Sequence, residues 1–225
     1  MIMKRFGTQF PVTNEFSEFA RSTIKDVSPI DAPDETLLKW MEHEELLFKT
    51  LERHIVAIKL EKGFGNDGTD VDDFISFSLS VQNRRKSRAG HAFENHLSKI
   101  FDAHKIQYSR GKVTELNKKP DFVFPGIKHY HSESFNMELL TMLGLKTSAK
   151  DRWRQVLSEA AKIKSKHLIT LEPSISKNQT DEMISENLQL VIPKGIIDTY
   201  TIEQQKQLVT LEGFIKIVSE KEKKI

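Results

Sequence analysis

The chain has 225 residues, with 34 Lys and Arg against 32 Asp and Glu, a net charge of +2 and no cysteine. Disulfide scaffolds and thiolate zinc sites are therefore excluded, and no apolar run approaches the ~20 residues that a membrane span needs. The near-balanced charge is neutral with respect to nucleic acid, because a buried acidic centre can offset a basic cleft.

Met1-Ile2-Met3-Lys4-Arg5 lacks the apolar core of a signal peptide, and a cytoplasmic protein is expected. Residues 1 to about 32 are broken by Pro11, Asn14, Pro29 and Pro33 and read as an irregular arm with a short helix over Glu15–Ile24. Pro33-Asp34-Glu35 opens a helix whose acids suit its positive end, and Leu37, Leu38, Met41, Leu46, Leu47, Leu51, Ile55 and Ile58 carry an apolar stripe to about Leu60. Gly63-Phe64-Gly65-Asn66-Asp67-Gly68 is formally GxGxxG, but a dinucleotide fingerprint follows a strand and this one follows a charged helix. It reads as a loop.

A helix is expected over Val71–Val81 and a second from about Lys86 to His104, with Ala89, Phe93, Leu97, Ile100 and Phe101 facing the core. Arg84, Arg85, Lys86 and Arg88 gather at the start of the second, where the helix dipole disfavours cations. A phosphate partner accounts for them, and a solvated charge run is the plain alternative. Glu94 lies at the margin of the apolar face, where periodicity by itself favours a solvated acid.

Short strands are expected at Ile106–Ser109 and Asp121–Phe124, the latter with Phe122 and Phe124 on one face and Asp121 and Val123 on the other. His129-Tyr130-His131, if extended, would place two imidazoles on one side, although no third metal ligand is evident nearby. Met142 to Thr147 reads as a buried strand ending on Lys146. From Asp151 onward Trp153, Val156, Leu157 and Ala160 recur at helical spacing, which puts Arg152, Gln155 and Glu159 along the opposite face. Strands at Lys166–Leu171 and Leu188–Ile192, a short helix at Thr180–Glu186 and a last helix over Thr210–Glu222 complete the pattern. Strands alternating with helices predict an α/β sandwich around a mixed sheet, with a helical arm over residues 1–69 and the main domain over 70–225.

Asp121, Lys146 and Glu159 form a chemically coherent set. Phosphodiester hydrolysis needs carboxylates to hold Mg²⁺ and a cation near the attacking water or the scissile phosphate. The plain alternatives are a strand-edge acid at Asp121 and a snorkelling strand-end lysine at Lys146.

The order of several short blocks resembles the catalytic domain of the EcoRII-like type II restriction endonucleases, of the PD-(D/E)XK nuclease fold. The blocks are Arg84-Arg85-Lys86-Ser87-Arg88-Ala89-Gly90 with Phe93-Glu94, Lys119-Pro120-Asp121-Phe122-Val123-Phe124-Pro125-Gly126, Leu145-Lys146-Thr147, Lys150-Asp151-Arg152-Trp153-Arg154-Gln155 and Ile175-Ser176-Lys177-Asn178-Gln179. The chain departs from the wider nuclease pattern at Gly144, two residues before the lysine, where a carboxylate is usual. In the EcoRII-like branch that acid comes from the following helix, and Glu159 stands in its place.

The resemblance implies a restriction-endonuclease-like α/β/α sandwich with Asp121 and Glu159 holding Mg²⁺, Glu94 assisting, Lys146 at the attacking water and Tyr130 as an accessory active-site tyrosine. It implies that Lys150, Asp151 and Arg152 read CC:GG half-sites, through donation to guanine and acceptance from cytosine in the major groove. Arg85 and Arg88 are implied DNA contacts, with Trp40 a candidate stacking partner for an extruded base. Recognition of a palindrome implies a homodimer. The product would be a staggered end with a 5′-phosphate, cut before the first C of a CCWGG- or CCNGG-like site, and a separate cognate methyltransferase is expected. The family's namesake carries an N-terminal effector domain; the short segment before Asp70 implies an enzyme without one. A nicking repair endonuclease of the same fold and a non-catalytic DNA-binding protein are the competing readings.

Overall fold

The structure, a computed structural model, describes residues 2–149 and 152–225. It divides into two compact units, one of residues 1–26 and 39–96, the other of residues 27–38 and 97–225.

The first unit is helical. Helices α1 (Ile2–Phe6) and α2 (Thr13–Thr23) precede most of α3 (Pro33–Lys62) and the first part of α4 (Val71–Ala103). Ile2, Phe16, Phe19, Phe48, Leu51 and Ile55 form its apolar cluster, with Phe6 edge-on to Phe19 at 5.2 Å between ring centres. Such pairs add roughly 0.5–1.5 kcal/mol beyond the area they bury. The arm is thus more helical than its prolines predict, because Phe6, Phe16 and Phe19 give short helices an apolar face to bury. The two helices expected over Val71–Val81 and Lys86–His104 are one helix, α4. Gln82-Asn83-Arg84-Arg85 contains no breaker, and the apolar face continues through the buried Val81. Gly63, Gly65 and Gly68 all take positive φ in the loop before α4, and a side chain at Gly65 would strike Asp70.

The second unit is built on a five-stranded sheet, β1 (Ser109–Arg110), β2 (Phe122–Phe124), β3 (Thr141–Lys146), β4 (Lys166–Thr170) and β5 (Leu188–Val191), hydrogen-bonded in that order. β1, β2 and β3 pair antiparallel, whereas β3, β4 and β5 run parallel. β1 overlaps the expected Ile106–Ser109 segment only at Ser109, since Ile106 is drawn into the core rather than into the ladder. The parallel strands are buried on both faces, which is why they read as continuous apolar runs. On one face Phe101, Phe122, Phe124 and Phe214 meet edge to face at 5.2–5.5 Å. On the other, Val123, Met142, Trp153, Val156, Leu168 and Leu190 share one cluster.

The remaining helices are α5 (Ile127–His131), α6 (Arg154–Leu157), α7 (Lys177–Ser185), α8 (Ile202–Gln205) and α9 (Leu211–Glu222). Side chains of Ser176, Thr201 and Thr210 cap the last three. Asp34, at the start of α3, accepts from the backbone N–H groups of Lys194, Leu211 and Glu212, each at 2.9 Å. Its carboxylate therefore anchors the start of α9 as well as suiting its own helix dipole. No described helix is long and apolar enough to cross a membrane.

His167 lies buried on β4 against the Phe214 ring, 5.1 Å away. Burial, with the Lys221 charge behind it, lowers its pKa from 6.5 to about 4. Because the unfolded chain takes up this proton near pH 6.5, the stability contribution is full above that pH and is lost as pH falls towards 4. The loss is about 3 kcal/mol when complete. His167→Phe is expected to flatten this part of the stability curve, measured as urea midpoints at pH 7 and pH 5; an unchanged slope would refute the assignment.

Candidate active site

Asp121 stands immediately before β2, and β2 pairs with β3 so that Phe122 faces Leu143. The Asp121 carboxylate accepts from the Leu145 N–H at 2.6 Å, which ties it to the strand that ends on Lys146. Across the parallel ladder Lys146 faces Thr170 at the end of β4. Ligand sites of α/β sheets gather at such carboxyl-terminal strand ends. Beyond Lys146 the chain turns under Glu172, which accepts from the Ser148 hydroxyl and from the Ala149 N–H. Lys150 and Asp151, two of the expected base-reading residues, lie outside the described residues. Arg152 follows them with an exposed side chain.

The helix expected from Asp151 onward is a single turn, α6, and Glu159 lies past its end. Arg152, Gln155 and Glu159 therefore do not share a helix face. Trp153 supplies no side-chain cap, the Ser158 hydroxyl bonds back to the Gln155 carbonyl, and Ala160 turns left-handed at φ +47°. These local choices end the helix two residues before Glu159.

Glu159 carries a strong electrostatic signature. One of its carboxyl oxygens, Oε2, is buried without a hydrogen-bond partner. Burial, and then the neighbouring Asp121 charge, raise its pKa to about 7, against the pull of Lys146, Lys118 and Lys166. Two carboxylates and three lysines thus share one neighbourhood. A buried, unpartnered carboxylate beside a second one is costly unless a cation joins them. Asp121 and Glu159 accordingly fit a divalent metal, and oxygen donors suit Mg²⁺. Among the described residues no three His, Cys, Asp or Glu side chains converge as a metal-binding group. Glu94, the expected third acid, belongs to the other unit, where its carboxylate lies 3.9 Å from His91 Nδ1.

Tyr130 is 1% exposed on α5. Its hydroxyl donates to Glu115 Oε2 at 2.5 Å and accepts from the Lys162 N–H at 3.2 Å. Burial and the Glu115 carboxylate push its pKa up to about 12. The same helix separates His129 from His131: one ring packs on Phe135 and the other reaches the Val113 carbonyl, so the segment is not extended and the two imidazoles have different partners. Glu115 and Lys166 were not legible as site residues. Glu115 sits in a stretch without apolar periodicity, and Lys166 opens β4 with nothing in the sequence to distinguish it.

Gly144 explains the departure from the usual motif. A Cβ there would lie 2.8 Å from both methyl groups of Val156, so β3 and α6 pack backbone to side chain at this point. A carboxylate two residues before Lys146 is sterically excluded in this chain. Gly144→Ala is expected to cost about 1–3 kcal/mol, read from urea midpoints, and Gly144→Ala/Val156→Ala should recover part of that loss. A Gly144→Ala protein as stable as the parent would contradict the packing argument.

In the first unit the predicted DNA contacts are engaged internally. Arg85 forks onto Glu52 at 2.5–2.8 Å yet keeps a mostly exposed side chain. Arg88 is buried, 3.6 Å from Glu44 and stacked 4.7 Å from the Phe48 ring centre. Trp40 is buried beside His96 and Arg21. Neither Arg88 nor Trp40 presents a surface to a ligand in this conformation. Phe48 on α3 covers the guanidinium of Arg88, which a charge-run reading of the sequence does not anticipate.

The EcoRII C-terminal family profile matches residues 48–215. The chain is 41% identical over 208 residues to the type II restriction enzyme EcoRII of Escherichia coli, covering 92% of this chain and 50% of that protein. It therefore spans half the length of the curated relative that it matches. Its fold is similar to metal-depleted Ecl18kI in complex with uncleaved DNA (TM-score 0.78, 19% identity, 99% of this chain and 83% of that one). It is equally similar to the restriction endonuclease PspGI in its substrate DNA complex (TM-score 0.77, 15% identity, 100% and 96% covered). With a restriction-endonuclease-like mixed sheet and a profile match over most of its length, the chain belongs to the EcoRII C-terminal family.

Proposed function

We propose that this chain is a type II site-specific deoxyribonuclease that hydrolyses duplex DNA at a short palindrome with a CC/GG core, CCWGG- or CCNGG-like. The observation that carries the reading is the buried, unpartnered Glu159 oxygen beside Asp121, with Lys146 at the adjoining strand end. The similarity to EcoRII supports the reaction class, and the DNA complexes of Ecl18kI and PspGI support the ligand.

Asp121 and Glu159 would hold the metal, with Glu94 as the assisting acid. A divalent ion held there would supply Lewis-acid chemistry to the phosphoryl oxygen and the attacking water. Lys146 orients that water and offsets charge as it builds on the phosphate. Asp121 is fixed for its task by the Leu145 N–H, which leaves its carboxylate little freedom. Arg152, with Lys150 and Asp151, reads the half-site, and Arg85 is a phosphate contact. The arm over residues 1–69 contacts DNA or a second copy in a homodimer, and residues 70–225 form the nuclease domain. A cognate methyltransferase acts separately to protect the host sites. Compartment follows from that role: the enzyme works in the cytoplasm.

The test uses two short duplexes, one with a CC…GG core and one with the core scrambled, in Mg²⁺ and in EDTA. Cleavage of the first alone, in Mg²⁺ alone and with 5′-phosphate ends, is expected. Binding without cutting would replace this reading with a DNA-binding protein, and single-strand nicks in both duplexes would replace it with a repair nuclease.

A further inference from the structure

Glu159 lies two residues past a one-turn helix, so no regular element fixes its carboxylate. Something else must. The residues that follow it are held from three directions. Glu115 Oε1 accepts from the Ala161 N–H, while Glu115 Oε2 accepts from the Tyr130 hydroxyl at 2.5 Å. The same hydroxyl accepts from the Lys162 N–H at 3.2 Å, and the Lys162 ammonium returns to the Tyr130 carbonyl at 3.0 Å. From below, the Lys166 ammonium donates to the carbonyls of Ala160, at 3.4 Å, and of Ile163, at 2.7 Å. The clamp also accounts for Ala160, a non-glycine residue at φ +47°. That conformation costs roughly 1–2 kcal/mol and persists only where surrounding contacts over-determine it.

We infer that Glu115 and Tyr130 are positioning residues that set the Glu159 carboxylate through the backbone of residues 160–162. The inference rests on the proposed reading of Glu159 as a metal-holding acid. Tyr130 is 1% exposed, and its hydroxyl has one donor and one acceptor partner, so it acts through Glu115 and Lys162 rather than on substrate. Glu115 is suited to the task because a carboxylate accepts at both oxygens, one for the tyrosine and one for the turn. An amide accepts at one oxygen only: with that oxygen on the Ala161 N–H, its NH2 meets the Tyr130 hydroxyl, which must then accept and loses the acceptor for its own proton, so Glu115→Gln probes the link to the tyrosine.

The test compares full-length Glu115→Gln, Tyr130→Phe and the double variant with the parent. In metal-free protein, amide hydrogen exchange of the peptide spanning residues 159–163 should accelerate in all three. Mn²⁺ affinity by calorimetry and kcat should each fall about 10–100-fold, the usual effect of removing an outer-shell partner of a metal ligand. KM for DNA should stay within about two-fold, and the double variant should be no worse than the more affected single one, because both belong to one chain of contacts. Wild-type Mn²⁺ affinity and kcat in a folded Glu115→Gln or Tyr130→Phe protein would overturn the inference, whatever the exchange data. So would losses that simply add, or that move KM with kcat, since those mark a generally weakened fold. Glu159→Ala, run alongside, separates the two claims. If it cuts normally, the reading of Glu159 fails; if it is inactive while the Glu115 and Tyr130 variants match the parent, only the positioning role fails.

Discussion

Glu159→Gln is expected to lose at least about 10²–10³-fold in cleavage rate while leaving the metal-free protein as stable as the parent, or more so, at pH 8. The two effects have one origin. Above about pH 7 the buried carboxylate is charged, one of its oxygens lacks a partner, and Asp121 repels it. An amide of the same shape removes that penalty, which we place at about 2 kcal/mol after allowing for partial exposure. It also removes the charge that a cation would bind. Single-turnover cleavage in Mg²⁺, beside urea unfolding in EDTA, reads both quantities on one sample. A variant that cuts within a few-fold of the parent would contradict the metal assignment. One that loses more than about 1 kcal/mol would contradict the electrostatic account.

Lys146→Ala is expected to lower kcat by a comparable factor, about 10²–10³-fold, with DNA affinity in Ca²⁺ little changed. Lys146 ends β3 with a partly exposed side chain, so its removal should alter stability by only about 0.5 kcal/mol. Lys146→Arg should not restore the rate. A planar guanidinium cannot present a compact ammonium to one water molecule, and it holds its proton too firmly to take part in transfer. Equal losses in kcat and in DNA binding would instead mark Lys146 as a phosphate clamp.

Much of this site was legible from local pattern. The apolar run that ends on Lys146 is buried on both faces, and such strands declare themselves through composition. The spacing of Asp121 from Lys146 is met by β2 and β3 pairing antiparallel, with α5 in the connection over residues 125–140. Gly144 marks a departure from the wider nuclease pattern that the sequence shows directly, and Val156 gives it a steric reason; that Glu159 takes the acid's place comes from the resemblance. What failed were inferences that needed tertiary partners. Apolar spacing after Asp151 is right for packing Trp153 and Val156, yet helix length is decided by capping and by the turn at Ala160. Arg88 reads as part of a solvated charge run because nothing local reveals Glu44 and Phe48 beside it. Glu115 was invisible for the same reason: its backbone partner, Ala161, is 46 residues away.

If Asp121 lies in the catalytic centre, this chain cuts DNA at a defined sequence and loses that activity with the Asp121 charge. The most direct measurement is incubation of the purified protein with unmethylated plasmid DNA and Mg²⁺, beside Asp121→Asn, followed by sequencing of the fragment ends. Asparagine keeps an acceptor for the Leu145 N–H, so the variant should fold while losing its charge. Discrete fragments whose ends share a CC…GG core, absent with the variant, are the predicted result. Uncut plasmid with both proteins, or the same fragments from Asp121→Asn as from the parent, would contradict it.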